Sequence, residues 1–569
     1  MVISKEIESR IKKRLALCYK KDMVDSIYVS ILTLINAYAD KSGNRRKGWD
    51  EKDAMLITYA DSILNNNEPP IRTLLETLQE SCGKSITFVH LLPFFPYTSD
   101  DGFSVSDYRA IRPDLGTWGD VVALSKEYRL VFDAVINHVS QHSQYVRGYL
   151  AGEPAFKDFC ISLPPETDTR SVLRTRNLPL LHDFPAHDGT RHLWTTFSRD
   201  QVDLNYANPK VLLEVIDILL FYTVMGASMI RLDAIPYMWK KLGTSCAHLP
   251  ETHELIKLIR DVYDAAAPQV LLLTETNVPH KENLSYFGNT GDEAQMIYNF
   301  SLAPLIVWSF LEGDASELSK WAAGVKFVSP SATYLNITAT HDGIGMRPTE
   351  GILSEEARAK LCSMAKTRGG DITGKRNSDG SVSPYELNLS YFDAINDPTV
   401  NTPETVEVAR FLCAQAITFS FIGIPGIYVH SLFGSRNDYE GVKRTGRART
   451  INRAQLNKQN LIMELCSQDS LRSKVFSGMK RLLEIRSHQT AFHPDASQQV
   501  ISLAPGLFAI SRTSTSQKIV ALHNVSDQTI RIPRAKLPFD GEIHDLLSPE
   551  ELIKGQEIDI RPYQVRWLT

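Results

Sequence analysis

The sequence predicts an α/β fold, a (β/α)8 TIM barrel with an inserted lid subdomain after strand 3 and a C-terminal antiparallel β-domain. Three observations carry this expectation. Apolar, β-rich runs alternate with amphipathic helical patterns along most of the 569 residues. One long polar interruption follows the third run, and after about residue 490 the helical patterns give way to short alternating strands.

Taken in order, residues 1–50 read as an amphipathic helical segment that ends in the basic, turn-rich KSGNRRKGWD. The runs MLITYA, ITFVHLLPF, LVFDAVIN, SMIRLDA, VLLLTETN, YLNITATHD and FSFIGIPGIYV follow. They are apolar on both faces, as strands of a parallel sheet covered by helices must be. Helical patterns such as NPKVLLEVIDILLFYTVMG and ETHELIKLIRDVYDAAA separate them. Seven or more such units favour a closed barrel, assigned to 51–139 and 201–489. Residues 140–200, rich in Pro, Asp, Thr, Arg and His, form the inserted subdomain. The stretch AKTRGGDITGKRNSDGSVSPYELN (365–388) is polar and Gly-rich and reads as a long mobile loop beside the strand ends. Residues 490–569 make the C-terminal β-domain, with runs such as KIVALHNVS and QTIRIPRA as strands.

Composition narrows the function classes. With 43% hydrophobic and 22% charged residues and a net charge of −4, nothing draws the chain to nucleic acid or an anionic membrane. Seven scattered cysteines without a CxxC pair suit reduced thiols, and Cys246 reads as a buried structural thiol. The first residues lack the apolar core of a signal peptide and no stretch approaches a membrane span, so a cytoplasmic location is expected. Neither Walker-type nor dinucleotide-binding spacing appears in a strand–helix context, so no cofactor is expected. Small-molecule substrates are the expected partners, and a homodimer is left open.

Four of the apolar runs end in polar clusters: DAVINH (133–138), IRLDA (230–234), TETN (274–277) and THD (340–342). In a barrel these ends share the C-terminal face, so Asp233, Glu275 and Asp342 meet at one mouth. A lone strand-end carboxylate is more often a helix cap or a loop ion pair; three in this order are not. Paired carboxylates are what glycosidic bond chemistry needs, one to attack the anomeric carbon and one to protonate the departing oxygen. Arg231, two residues before Asp233, favours its ionised state, whereas the apolar QVLLLTET raises the pKa of Glu275 by desolvation. His341 beside Asp342 suits the gripping of sugar hydroxyls.

These clusters, with QVDLN (201–205) as a fifth, resemble the signature regions of the α-amylase-type glycoside hydrolase superfamily, and the resemblance covers nearly the whole chain. It implies Asp233 as nucleophile, Glu275 as general acid/base and Asp342 as transition-state stabiliser, with Arg231, His138, His341 and Gln201 around a glucosyl ring. LITYAD, HLLPFFPYTSDDGFSVSDY, RLDAIPYMWKKLGTSC, THDGIG, PYELNLSYFDA and the INR at 451–453 are similar to the sucrose-phosphorylase branch. That branch implies a glucosyl clamp by Asp100 and Arg453 and no structural calcium. The superfamily's calcium-linked Asn matches Asn137, but the surrounding insert differs and no metal is expected.

Phosphorolysis also needs fixed cationic groups for a dianion. Arg176 and Tyr385 match the branch's phosphate-contacting pair. Arg174 is a second candidate, and Tyr237 is a further one on the acceptor side. RHLWTTFS, TETNVPHKENLSYFG and SPYELNLSYFDA resemble members that act on glucosylglycerate more than those that act on sucrose. This implies D-glycerate as acceptor, with Arg347, Lys366, Arg368 or Lys375 as its carboxylate partner. Sucrose, sucrose 6-phosphate and glucosylglycerol are the alternative substrates. A hydrolase or transglucosylase built on the same carboxylates is the rival reading; a non-catalytic barrel would be expected to lack one of the three.

Overall fold

The computed structural model describes residues 3–39, 41, 43, 46–176, 178–377, 380–548, 552–553 and 556–569. Asp40 and part of the basic stretch that follows it (Ser42, Asn44, Arg45) lie outside the described residues, as do Asn177 of the insert and Ser378 and Asp379 of the 365–388 stretch.

Eight parallel strands close into a barrel: β1 Met55–Thr58, β2 Phe88–Leu91, β3 Arg129–Ala134, β4 Ala227–Leu232, β5 Leu271–Thr274, β6 Met296–Tyr298, β7 Thr333–Ile337 and β8 Ile424–Tyr428. All of these strand residues but Arg129 are buried, which is why the runs are apolar on both faces. Strand β6 was not among the predicted runs. Its three residues are too few to show a period.

Two N-terminal helices, α1 Lys5–Cys18 and α2 Val24–Tyr38, lie against α5 Pro209–Val224 and α6 Pro250–Ala266, two helices of the outer ring that also includes α3 Pro70–Ser81 and α4 Trp118–Glu127. Ser4 caps α1 by accepting from the Ile7 amide. Arg10 and Arg14 of α1 reach Asp261 of α6 at 2.7 and 3.6 Å, and the Tyr38 hydroxyl donates to Asp217 of α5 at 2.8 Å. The excursion after β3 leaves through strand His138–Ser140, folds a hairpin of Leu181–Ala186 with Gly189–Trp194, and returns through Gln201–Asp203 antiparallel to its departure.

The stretch 365–388 is not the loop expected. Asp371–Arg376 pairs antiparallel with Val382–Asn388, which pairs on its other side with Ile344–Gly345. Leu387 is fully buried at the join, so polar residues ride on a sheet anchored by a few apolar ones. Beyond the barrel, β9 Ser497–Val500, β10 Leu507–Thr513, β11 Lys518–Asn524 and β12 Val565–Leu568 form an antiparallel sheet in that order. Arg512 ties this sheet to the barrel by donating to the Ser420 carbonyl at 2.8 Å.

Candidate active site

Arg231, buried within β4, organises the centre. Its guanidinium bonds to Asp133 at the end of β3, lies 2.9 Å from Asp233 Oδ1 and stands 3.8 Å from Glu275 Oε2. His90 of β2 holds Asp133 from the other side at 2.8 Å. After Asp233 the chain turns through Ala234, whose left-handed φ of +51° points its amide at Glu275 Oε2, 3.4 Å away. Such a φ costs a non-glycine residue about 1 kcal/mol, and here it places the two carboxyls side by side.

Burial pushes both Asp233 and Glu275 up, and Arg231 opposes the shift. Two carboxyls beside one shared guanidinium hold a proton between them. Arg231 lies closer to Asp233 than to Glu275, so its charge favours the ionised form of Asp233 the more.

Asp342, beyond β7, has the opposite electrostatics. Against a burial that would raise it, the fixed cations Arg449 at 2.8 Å and Arg453 at 3.6 Å hold it well below the usual carboxylate range. His341 is stacked on Phe103 with ring centres 4.9 Å apart, and burial takes it down to about 3, so the ring is neutral. Asp100 has a positive φ of 54° in the turn that leads to Phe103. It accepts from Gln201 Nε2 at 3.1 Å, while Gln201 and His138 both donate to the Phe103 carbonyl, at 3.0 and 2.9 Å.

Asp100, His138, Gln201, Asp233, Glu275, His341 and Asp342 all line one narrow cavity at the C-terminal face, and Arg176 and Tyr385 complete its outer wall. The Arg176 guanidinium lies 5.4 Å from the Tyr385 ring and 5.9 Å from that of Phe197. Tyr237 stands behind Phe197, ring centres 5.7 Å apart, and burial lifts its hydroxyl to about 12. Arg231 and Arg453 are also behind the wall. Arg453 donates to the His341 carbonyl at 2.8 Å and pairs with Asp101 at 2.5 Å.

The arginine that reaches the cavity from this segment is Arg449, bridging Asp342 and Glu386. Sequence reasoning passed over it. No sequence spacing marked it: Arg449 lies within the 3-10 turn Ala448–Asn452, whereas Arg453 is the non-helical residue that ends it, and the two point different ways. Phe103, Phe197, Asn277 and Glu386 are further lining residues not anticipated. Of the four basic residues proposed for an acceptor, Lys366 is exposed on the helix Glu355–Thr367, and Arg368 is held by the Ala394 carbonyl and by Asp397 at 3.8 Å. Arg347 and Lys375 share Glu350, at 4.0 and 3.9 Å. Arg174 donates to the Leu178 carbonyl and lines a separate surface cavity with Lys375.

The residues around Asn137 do not fit a cation. The Lys240 ammonium already lies there, donating to Asn137 Oδ1 at 2.9 Å and pairing with Asp203 Oδ2 at 2.7 Å. Thr196 supplies Asp203 with two more donors at 2.7 Å. A fixed charge of the chain's own thus ties the end of β3 to the insert's return.

The α-amylase catalytic-domain family matches residues 81–328. The crystal structure of sucrose 6F-phosphate phosphorylase from Thermoanaerobacter thermosaccharolyticum superimposes with a TM-score of 0.73 at 23% identity, over 85% of this chain and 95% of that one. The chain is 45% identical over 533 residues to the glucosylglycerate phosphorylase of Spirochaeta thermophila, covering 91% of this chain and 90% of that protein. It is 41% identical to the Escherichia coli K12 glucosylglycerate phosphorylase, over 92% and 93%. The chain belongs to the sucrose-phosphorylase branch of the α-amylase superfamily. The matched catalytic-domain segment takes in Asp100, His138, Gln201, Asp233 and Glu275. Asp342 and Arg449 fall outside that segment, on the part of the barrel contributed by β7 and β8. Among the described residues no helix of this branch member is long and apolar enough to cross a membrane.

Proposed function

We propose that this chain is a cytoplasmic retaining α-glucoside phosphorylase that converts glucosylglycerate and phosphate to α-D-glucose 1-phosphate and D-glycerate. One observation carries the reading. Asp233, Glu275 and Asp342 share a cavity with Arg176 and Tyr385, in a chain 41–45% identical to glucosylglycerate phosphorylases over most of its length.

In the first displacement an Asp233 carboxylate oxygen bonds to C1 of the glucosyl unit as the C1–O bond to glycerate breaks. Glu275 gives its proton to the departing oxygen. Arg231 holds Asp233 in line, and Asp342, kept ionised by Arg449, faces the positive charge that develops at the ring. Asp100, His138, Gln201 and His341 hold the sugar, with Arg453 supporting His341 from behind. In the second displacement a phosphate oxygen bonds to C1 and the ester to Asp233 breaks. Glu275, now the base, takes the phosphate proton. Arg176 and Tyr385 hold phosphate ahead of water, with Tyr237 on the acceptor side. Two inversions give net retention.

Incubating the enzyme with α-glucose 1-phosphate and D-glycerate, fructose, glycerol or no acceptor, and measuring phosphate release, tests this. D-glycerate is expected to accelerate release most. Release no faster with any acceptor than with water alone removes the phosphorylase reading; preference for fructose removes only glycerate.

A further inference from the structure

Arg347 opens the short turn Arg347–Thr349, directly after the strand Ile344–Gly345 and Met346. It is only 6% exposed, yet among the described residues its guanidinium has no short partner. The nearest carboxylates, Glu282 and Glu350, stand 3.9 and 4.0 Å away, and its Nε is buried without an acceptor. A guanidinium carries five donors, and leaving them unsatisfied in the interior is costly. Its two carboxylates are also shared: Glu282 with His248 at 3.2 Å, Glu350 with Arg358 at 3.7 Å and Lys375 at 3.9 Å.

Arg347 does not itself line the cavity, but the residues just before it touch two that do, Tyr385 and Asn277. The Met346 amide donates to the carbonyl of Tyr385 at 2.9 Å, and Tyr385 lines the outer wall. Gly345 approaches so closely that a Cβ there would stand 2.6 Å from Oδ1 of Asn277, a lining atom that is itself buried without a partner. Tyr237, packed on the wall residue Phe197, feels the charge of both Glu275 and Arg347. In glycerate neither hydroxyl carbon is more than one carbon removed from the one bearing the carboxylate, so whichever oxygen is transferred, the carboxylate must lie near Glu275.

We propose that Arg347 is the specificity-determining residue that receives the carboxylate of the acceptor, with Lys375 adding positive charge behind it. This rests on the phosphorylase reading above. It assigns an anionic acceptor to a guanidinium whose nearest carboxylates stand no closer than 3.9 Å, distinct from the Arg176 and Tyr385 pair proposed for phosphate.

The test compares wild type with Arg347→Met and Arg347→Lys at saturating α-glucose 1-phosphate. It reads kcat/KM for D-glycerate against that for glycerol, which lacks the carboxylate, and the KM for phosphate in the reverse direction. The glycerate-to-glycerol ratio is expected to fall about 10–100-fold in Arg347→Met, the worth of a charge-assisted hydrogen bond, and less in Arg347→Lys. An unchanged ratio in Arg347→Met overturns the assignment, and so does an equal rise in the KM for phosphate, which would make the residue a general anion group. Should Arg347→Met fail to fold, Arg347→Lys decides: it keeps the charge but loses the planar fork, and an unchanged ratio there also overturns the proposal. Wild-type enzyme that releases phosphate no faster with glycerate than without acceptor defeats the phosphorylase reading itself, which separates the two failures.

Discussion

Arg449 Nη1 stands 2.8 Å from Asp342 Oδ1, and the same guanidinium holds Glu386 at 2.7 Å through Nη2. Asp342 therefore stays ionised despite burial, because its lowered pKa keeps its acidic limb below the ordinary carboxylate range. Replacing Arg449 by Gln removes the largest charge that favours the carboxylate. The acidic limb of the kcat/KM profile is expected to move to higher pH, with a fall in kcat/KM of about 100-fold. A pH–rate profile of the variant checks both.

Glu275 has the reverse sign. Burial raises its pKa, so its protonated form persists above the usual carboxylate range, and glucosylglycerate cleavage is expected to decline as pH rises through the raised value. Glu275→Gln should slow that reaction about 10²–10⁴-fold. With α-glucosyl fluoride, whose leaving group needs no proton, the first displacement should survive and the alkaline limb should disappear from single-turnover kinetics.

On the proposed mechanism, Arg176 and Tyr385 hold phosphate at C1 ahead of water. Loss of one charge-assisted contact in Arg176→Gln is expected to raise the KM for phosphate about 10–100-fold. Glucose release should grow at the expense of glucose 1-phosphate, as measured by product ratios at fixed phosphate.

Lys240 makes a stability prediction. Lys240→Met leaves Asp203 buried beside Asn137 without its cation, a loss of about 3–5 kcal/mol by analogy with broken buried ion pairs. Denaturant midpoints of the variant measure it. The wild-type midpoint should be indifferent to chelators, since the ammonium takes the place between Asn137 and Asp203.

How far the residues announced this arrangement depends on the length of the signal. Seven of the eight barrel strands stand out because burial on both faces demands apolar runs. Met296–Tyr298 does not, because three residues show no period. The carboxylates were legible because each closes such a run at the same end of a barrel. Arg449 was not, since only the folded turn shows that it and not Arg453 faces the cavity. The same holds for Lys240, whose partners Asn137 and Asp203 are distant in sequence. The hairpin of Asp371–Arg376 with Val382–Asn388 was hidden by glycines and charges that exposed strands tolerate and buried ones do not.

That hairpin has a consequence for how the active site can change over time. Its inner strand is stitched to Ile344–Gly345, and its outer ladder already absorbs one extra residue, Tyr385, at the irregularity between Thr373 and Gly374. An insertion beside Glu386 not absorbed in this way would reverse the faces beyond it and carry Glu386 away from Arg449. The tip is exempt: the Asn377 amide closes onto the Ser381 carbonyl, and residues added beyond that closure leave the pairing untouched. Lineages, or designers, are thus free to lengthen and recompose the tip while Glu386 and its neighbours stay in register.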